Sequence, residues 1–189
     1  WNHENTLAFP NSAKAKTMQK GLKPLGFEAV EEMNRHGIVI DVSHLSDAGF
    51  YDVLKYTTGP FVASHSNARA VCPHVRNLTD DMIRELAKRG GVTGINYCAD
   101  FLREAKEGEK NFSYIADMVK HISHIVEVGG IDCVGLGSDF DGIEQNLEMK
   151  DASYLPQLAQ ALKDAGFSEE DIEKIFYKNV LRVFKEVTK

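Results

Sequence analysis

The segment Gly37-Ile-Val-Ile-Asp-Val-Ser-His44 is a short apolar run that ends in a histidine. Alternate residues of a β-strand point to the same face, so the imidazole of His44 would share a face with Ile40 and Val42. Ile38 would lie on that face as well. The pattern predicts a strand that carries a histidine at its carboxyl end.

Three further segments repeat this pattern of a short apolar run that ends in polar residues. They are Pro60-Phe-Val-Ala-Ser-His65, Gly91-Val-Thr-Gly-Ile-Asn-Tyr97 and Asp132-Cys-Val-Gly-Leu-Gly-Ser-Asp139. Each is followed by a stretch with helical spacing, which predicts successive βα units and an α/β fold with parallel strands. Because parallel strands place their carboxyl ends at one edge of the sheet, His44, His65 and Asp139 are expected to meet there.

The intervening stretches predict helices with recognisable ends. Pro24 opens a helix that stops at Gly37, and Ser46 and Thr79 are suited to cap the next two. A long amphipathic stripe extends over residues 112–126, and another helix covers residues 154–165. The capping box at residues 168–171 starts the last helix, for which one apolar face is predicted from Ile172, Phe176, Val180, Val183 and Val187.

The composition is that of one soluble globular domain over residues 1–189, with no internal boundary. The chain has 43% hydrophobic and 26% charged residues, and a formal net charge of -6. This acidic balance argues against nucleic acid as a main partner. No segment approaches the roughly 18 to 20 apolar residues of a membrane span. The three cysteines, an odd number without C-x-x-C spacing, favour a reducing compartment and hence a cytoplasmic location.

Two histidines at equivalent ends of consecutive strands, with an aspartate at a third, predict a site for a divalent transition metal. The alternative for each histidine is a purely structural role. Asp139 follows Gly135 and Gly137, and glycine within a strand often marks close approach of a ligand or another backbone. The alternative for Asp139, and the favoured interpretation of Asp141, is a turn in which the carboxylate bonds its own backbone.

Arg76 lies in the polar loop after the second strand and is a candidate to bind a substrate carboxylate through two parallel hydrogen bonds. The alternative is a solvated surface arginine, and Arg69 is a weaker candidate of the same kind. His121 and His124 fall on a predicted helix and are interpreted as packing or surface residues. Asp41 has the opposite parity to His44, so it is expected to point away from the site and to form hydrogen bonds behind the strand.

Five segments carry a resemblance to a known family. Together they resemble the membrane (renal) dipeptidase family of zinc peptidases, within the amidohydrolase-like metal-dependent hydrolases. The segments are Ile40-Asp-Val-Ser-His44, Ala63-Ser-His-Ser66, Arg76-Asn77, Gly137-Ser-Asp-Phe-Asp-Gly142 and Asn179-Val-Leu-Arg-Val-Phe184. Each is modest alone, but five in the correct order are specific.

The resemblance implies a TIM-type (β/α)8 barrel with two zinc ions, bridged by a glutamate and a hydroxide, that hydrolyses dipeptides and accepts a C-terminal D-residue. It implies that His44 and His65 are zinc ligands and that Arg76 holds the carboxylate of the dipeptide. It further implies that Asp139 contacts the substrate and passes a proton from the bridging water to the leaving amine. This chain would supply about four βα units.

The family's first-strand His-x-Asp pair and bridging glutamate have no counterpart in this sequence. The chain is therefore expected to be the C-terminal half of a barrel, completed by a missing N-terminal half or by a second copy. Alone it would bind at most one zinc ion, weakly, and would be inactive. Two alternatives stay open: another amide or ester hydrolysis on the same scaffold, and a non-catalytic fragment.

Overall fold

A computed structural model describes residues 2–105, 108 and 110–188. Helices and parallel strands alternate along the chain. In order, the elements are α1 (Ala15–Met18), α2 (Pro24–His36), α3 (Asp47–Tyr56), β1 (Val62–Ala63), α4 (Asp80–Lys88), β2 (Val92–Asn96), α5 (Ala99–Leu102), α6 (Ile115–Gly129), β3 (Val134–Ser138), α7 (Leu155–Asp164), α8 (Glu169–Glu173) and α9 (Asn179–Val187). Short 3-10 turns cover Ile131–Cys133 and Ala152–Tyr154, and a π-helical turn covers Lys174–Lys178.

The sheet is parallel, as predicted, and has the strand order β1–β2–β3. Val62 pairs with Val92, and Thr93 pairs with Val134. The first predicted strand is shorter than expected: it joins the sheet through one parallel bridge, between Asp41 and Val62. The fold is therefore α/β, and the four predicted segments direct their carboxyl ends to the same edge.

The first predicted strand is short because its pairing with the sheet begins only at Ile40. Ile40 and Val42 are buried as predicted, but Ile38 is 50% exposed. Pairing begins at Ile40, whose carbonyl accepts from Val62 N at 2.9 Å. Only the carboxyl half of the apolar run therefore packs in the sheet, and this is the half that positions His44.

The helix ends match the sequence signals. Ser46 Oγ accepts from Gly49 N, and Thr79 Oγ1 accepts from Met82 N, so both residues cap their helices. Gly37 ends α2 with φ 66°, a left-handed conformation that glycine adopts without strain. The capping box predicted at the start of α8 is present. Within the described residues, no helix is both long enough and apolar enough to cross a bilayer.

The apolar core lies between the sheet and the helices. Its fully buried side chains include Phe61, Ile83, Leu86, Ile95, Met118, Ile122, Ile125 and Val134. The stripe predicted for residues 112–126 is confirmed where α6 faces this core, at Ile115, Met118, Ile122 and Ile125. Burial of these side chains is the main force that holds the βα units together.

The single face predicted for the last helix is correct only in part. The π-helical turn adds a residue to the helical repeat and rotates the residues after it. Val183 is buried and Ile172 and Phe176 pack against the core, as predicted, but Val180 is 43% exposed and Ile175 is buried. Asn179 takes the intervening buried position and donates to the carbonyls of Ile131 and Val134, each at 2.8 Å.

Gly94 and Gly137 bring three chain segments into close contact beside the site. A Cβ atom on either glycine would lie 2.1 Å from the Ser64 carbonyl oxygen. We expect Gly94→Ala to lower the free energy of unfolding by about 1–3 kcal/mol, because the backbone must shift to admit the methyl group. Chemical denaturation measures this, with Gly59→Ala as the control, since no atom lies within 4 Å of a Cβ there. Equal stability of the two variants would contradict the prediction.

Candidate metal and substrate site

His44 and His65 converge at the carboxyl edge of the sheet. Their Nε2 atoms are 2.9 Å apart, and their ring centroids are 4.9 Å apart. Asn11 N donates to the His44 carbonyl at 2.9 Å, and His65 N donates to Ser43 Oγ at 3.0 Å. The backbones of both histidines are thus held by neighbouring segments, and the two imidazoles point at a common position.

Both imidazoles favour the neutral form. Burial lowers the pKa of His44 to about 4, and the positive charge of Arg76 acts in the same direction. Burial and then Arg76 also lower the pKa of His65, against the opposing charges of Asp41 and Asp139. Neutral imidazole is the form that binds transition metals, so the site is prepared for a cation.

Asp41 belongs to this site, although its parity predicted that it would face away. Its Oδ1 accepts from Ser43 N, Ser43 Oγ and Ser64 N, at 2.8–3.0 Å. Its Oδ2 accepts from Ser64 Oγ at 2.5 Å, and this hydroxyl lies 2.7 Å from Nδ1 of His65. Asp41 does form hydrogen bonds, as predicted, but they lead to His65.

Arg76 lies next to the two histidines and is only 8% exposed. Its Nη2 is 3.4 Å from Nε2 of His44, and its guanidinium carbon is 5.5 Å from the centroid of the Phe101 ring. Nη1 is buried and has no hydrogen-bond partner among the described residues. Burial lowers the pKa of Arg76, and the charges of Asp139 and Asp41 oppose this. A buried donor of this kind is suited to bind an anionic group.

Arg69 has a structural role instead. Its guanidinium makes two 2.8 Å hydrogen bonds to the Asp47 carboxylate and a third to the Asn77 carbonyl. This clamp joins the loop after β1 to the start of α3. The lower ranking of Arg69 as a substrate-binding candidate agrees with this arrangement.

Asp139 stands at the end of β3 in an unusual backbone conformation. Ser138 and Asp139 have φ values of 46° and 71°, after a register shift in the pairing of β2 with β3. Asn96 Nδ2 donates to Oδ2 of Asp139 at 2.9 Å. Non-glycine residues in the left-handed region are uncommon and cluster at functional sites. The chain turns after Asp139, where Gly142 N donates to the Asp139 carbonyl at 2.9 Å, but this bond is between backbone atoms and does not involve the carboxylate.

Three asparagines without a role assigned from the sequence, Asn67, Asn77 and Asn96, form the framework under the site. Asn67 Oδ1 accepts from Asn96 N at 2.8 Å, and its Nδ2 donates to the Asn96 carbonyl at 3.0 Å. Asn77 Nδ2 donates to the carbonyls of Cys72 and Phe101. The sequence signals for these residues were the polar end of the third predicted strand, which carries Asn96, and the Arg76-Asn77 segment of the family resemblance.

The two helical histidines have packing roles, as predicted. His121 is buried, where Nδ1 accepts from Ala68 N at 3.1 Å and Nε2 lies 2.9 Å from the Leu102 carbonyl oxygen. His124 Nε2 is 2.8 Å from Asp80 Oδ1. Both contacts tie α6 to neighbouring elements.

The donor set suits part of a metal site. Two neutral imidazoles with convergent Nε2 atoms are typical zinc ligands, but a zinc ion usually has four ligands. Among the residues that the structure describes, no three His, Cys, Asp or Glu side chains are arranged to hold a metal ion. His44 and His65 would therefore supply two ligands of a bound zinc ion, and Asp139 lies at the same edge without joining them.

Comparisons with known proteins agree with this geometry. The chain is 38% identical over 193 residues to an uncharacterized protein in the pqqA 5' region of Klebsiella pneumoniae, covering 99% of this chain and 70% of that protein. It is 35% identical to the dipeptidase tcpJ of Claviceps purpurea, covering 97% of this chain and 43% of that protein.

Among solved structures, the chain resembles a metallo peptidase from Rhodobacter sphaeroides that was crystallised with a phosphinate mimic of the dipeptide L-Ala-D-Ala. The TM-score is 0.82 at 36% identity, covering 88% of this chain and 47% of that one. The chain thus spans less than half of this structure and of the Claviceps dipeptidase. The family model described as membrane dipeptidase (Peptidase family M19) matches residues 1–189. The chain therefore belongs to the membrane dipeptidase family.

Proposed function

We propose that residues 1–189 form one part of a (β/α)8 barrel that hydrolyses dipeptides with the help of zinc. The observation that carries this proposal is the 2.9 Å approach of the His44 and His65 Nε2 atoms beside the buried guanidinium of Arg76. A metal site next to a buried cation fits a substrate with a polarisable carbonyl and a nearby carboxylate. Membership of a dipeptidase family supports the same substrate class.

His44 and His65 would hold a zinc ion through their Nε2 atoms. When bound, zinc supplies Lewis acidity, which polarises the scissile carbonyl and lowers the pKa of a water molecule. The family is one of metallopeptidases, which supports a metal here. Two imidazoles leave zinc two ligands short of four, so the complete site draws on groups outside these residues, from a longer chain or a second copy.

Arg76 would orient the dipeptide by its terminal carboxylate. Nη1 has no partner among the described residues, so a bound carboxylate would give this buried nitrogen its missing hydrogen bond. Binding at this point fixes the distance from the carboxylate to the scissile bond and thereby favours dipeptides over longer peptides. The Rhodobacter relative was crystallised with a mimic of L-Ala-D-Ala, which supports acceptance of a D-residue at that end.

Asp139 would transfer a proton from the attacking water molecule to the leaving amine. Asn96 anchors Oδ2, so Oδ1 is the oxygen that would accept a proton from the attacking water and donate it to the leaving amine. The left-handed backbone at Asp139 holds the carboxylate at the end of β3, on the edge that carries both histidines.

Hydrolysis of L-Ala-D-Ala and L-Ala-L-Ala by the zinc-loaded full-length gene product tests the proposed function. Alaninamide derivatives and tripeptides serve as comparison substrates. We expect cleavage of free dipeptides that depends on added zinc. Zinc binding without dipeptide cleavage, but with cleavage of a cyclic amide or an ester, would assign another hydrolysis to this site. Failure to bind zinc at all would refute the metal site.

Arg76→Lys should reduce kcat/KM for dipeptides by about 10²–10³-fold, mainly through KM. Lysine keeps the charge but loses the planar pair of donors, and loss of a buried charged contact costs about 2–5 kcal/mol. Steady-state kinetics with L-Ala-D-Ala measure the effect. Arg69→Lys is the control in the same loop, because that guanidinium bonds Asp47. A dipeptide amide should be cleaved equally by Arg76→Lys and the wild type, and an equal loss on the amide would contradict carboxylate binding.

A further inference from the structure

Asp41, Ser64 and His65 form a continuous chain of hydrogen bonds that ends at the candidate metal position. Ser64 Oγ lies 2.5 Å from Oδ2 of Asp41 and 2.7 Å from Nδ1 of His65. Nε2 of His65 is the atom that approaches His44. The carboxylate is therefore two hydrogen bonds away from the imidazole that it affects.

The positions of the hydrogens follow from this arrangement. A serine hydroxyl has one hydrogen, and a carboxylate can only accept. The Ser64 hydrogen therefore points to Asp41, and Ser64 Oγ accepts a hydrogen from Nδ1 of His65. His65 is then the Nδ1–H tautomer, which leaves a lone pair on Nε2. This tautomer can bind a metal ion through Nε2, or accept a hydrogen bond from His44 when no metal is bound.

Asp41 is held as the ionised acceptor that this arrangement needs. Its Oδ1 accepts from Ser43 N, Ser43 Oγ and Ser64 N. Desolvation by the surrounding protein would raise the pKa of Asp41, but hydrogen bonds from Ser64 and Ser43 outweigh this effect and lower it. The carboxylate of Asp41 therefore accepts all four hydrogen bonds that Ser43 and Ser64 donate, and it needs no proton of its own for any of them.

We propose that Asp41 is a positioning residue that acts through Ser64 to fix His65 as the Nδ1–H tautomer and so keeps Nε2 available as a metal ligand. Partners of this kind, outside the ligands themselves, set the orientation and basicity of ligating histidines. The part that concerns metal binding rests on the proposed function. The tautomer itself is a property of the metal-free protein.

Asp41→Asn is the informative substitution because it can reverse the chain of hydrogen bonds. The amide Nδ2 donates to Ser64 Oγ, so the hydroxyl hydrogen turns to Nδ1 of His65 and the imidazole hydrogen moves to Nε2. Asp52→Asn is the matched control: it makes the same change at a half-buried carboxylate on α3, which accepts a hydrogen bond from Leu22 N.

Nitrogen NMR of the metal-free protein with labelled histidine reports the tautomer directly. The His65 signals are those that His65→Gln removes. We expect the Nδ1–H form in the wild type and in Asp52→Asn, and the Nε2–H form in Asp41→Asn. The wild-type spectrum alone tests the proposed tautomer, so the test holds even if a variant fails to fold. An Nε2–H tautomer in the wild type would overturn the proposal.

Zinc titration of the same proteins measures the consequence for binding. We expect Asp41→Asn to weaken zinc binding about 10–100-fold, as loss of such partners does elsewhere, while Asp52→Asn binds zinc as the wild type does. Ser64→Thr retains the hydroxyl and should bind zinc better than Ser64→Ala. Equal weakening in Asp41→Asn and Asp52→Asn would reduce Asp41 to a structural role. If the tautomers match expectation but dipeptides are not cleaved, the proposed function fails and the positioning role stands.

Discussion

Replacing His44 or His65 by alanine is expected to abolish zinc binding and dipeptide hydrolysis together. The two Nε2 atoms are 2.9 Å apart, so one ion would bind both, and loss of either leaves a single imidazole from this chain. Loss of a residue that only hydrogen-bonds to a metal ligand weakens metal binding about 10–100-fold. Loss of a ligand itself should therefore weaken zinc binding by more than about 100-fold. Zinc titration and elemental analysis of the purified variants measure the binding.

His124→Ala is the matched control for these variants. His124 is also a partly buried imidazole with one hydrogen-bond partner, Asp80, but it lies on α6. It should retain wild-type zinc content and activity. If His44→Ala retained full zinc occupancy while losing activity, His44 would act on the substrate and the metal would be bound elsewhere. If His44→Ala, His65→Ala and His124→Ala all bound zinc equally, His44 and His65 would not be zinc ligands.

The edge that holds the two histidines could be predicted because strand parity is a local property. In each of the two segments, alternating apolar residues lead to a histidine, and the parallel arrangement required by βα units places both ends together. The structure confirms that the two histidines converge. The prediction needed no sequence signal for a contact between distant segments. Helix ends were predictable for the same reason, since Ser46, Thr79 and Gly37 act within one helical turn.

The partners of His65 could not be predicted because they depend on contacts between segments. Parity placed Asp41 on the face opposite His44, but Ser64 comes from the neighbouring strand and reaches the Asp41 carboxylate from the side. The pairing of Asn96 with Asp139 likewise depends on a register shift between β2 and β3. Such shifts are set by packing and leave little trace in the sequence of a single strand.

The prediction for the last helix failed at Val180 for a different reason. A regular repeat of 3.6 residues was assumed from Ile172 to Val187, and the π-helical turn at Lys174–Lys178 breaks it. The turn allows Asn179 to point inward and donate to two carbonyls beside β3. Asn179 lies between two of the predicted apolar positions, and nothing in the sequence pattern marked it as buried.

Asp139→Asn is expected to lower kcat about 10²–10⁴-fold while zinc binding and KM change little. An amide cannot take a proton from water and return it to the amine, and that transfer contributes about this factor. The substitution should preserve the geometry, because asparagine tolerates the left-handed backbone at φ 71° and its carbonyl can still accept from Asn96. Stopped-flow or steady-state hydrolysis of L-Ala-D-Ala, beside a zinc titration, separates the two effects.

Asp141→Asn is the matched control, two residues further along the same turn. It removes an equal charge from the same loop, so any effect that it shares with Asp139→Asn is electrostatic or structural and does not report proton transfer. We expect near wild-type kcat for Asp141→Asn. A large loss of zinc affinity in Asp139→Asn would make Asp139 a metal ligand, and it would imply that β3 moves toward His44 and His65 when the site is complete. Loss of kcat with zinc affinity intact would assign the proton to Asp139, because His44, His65 and Arg76 would then already account for binding.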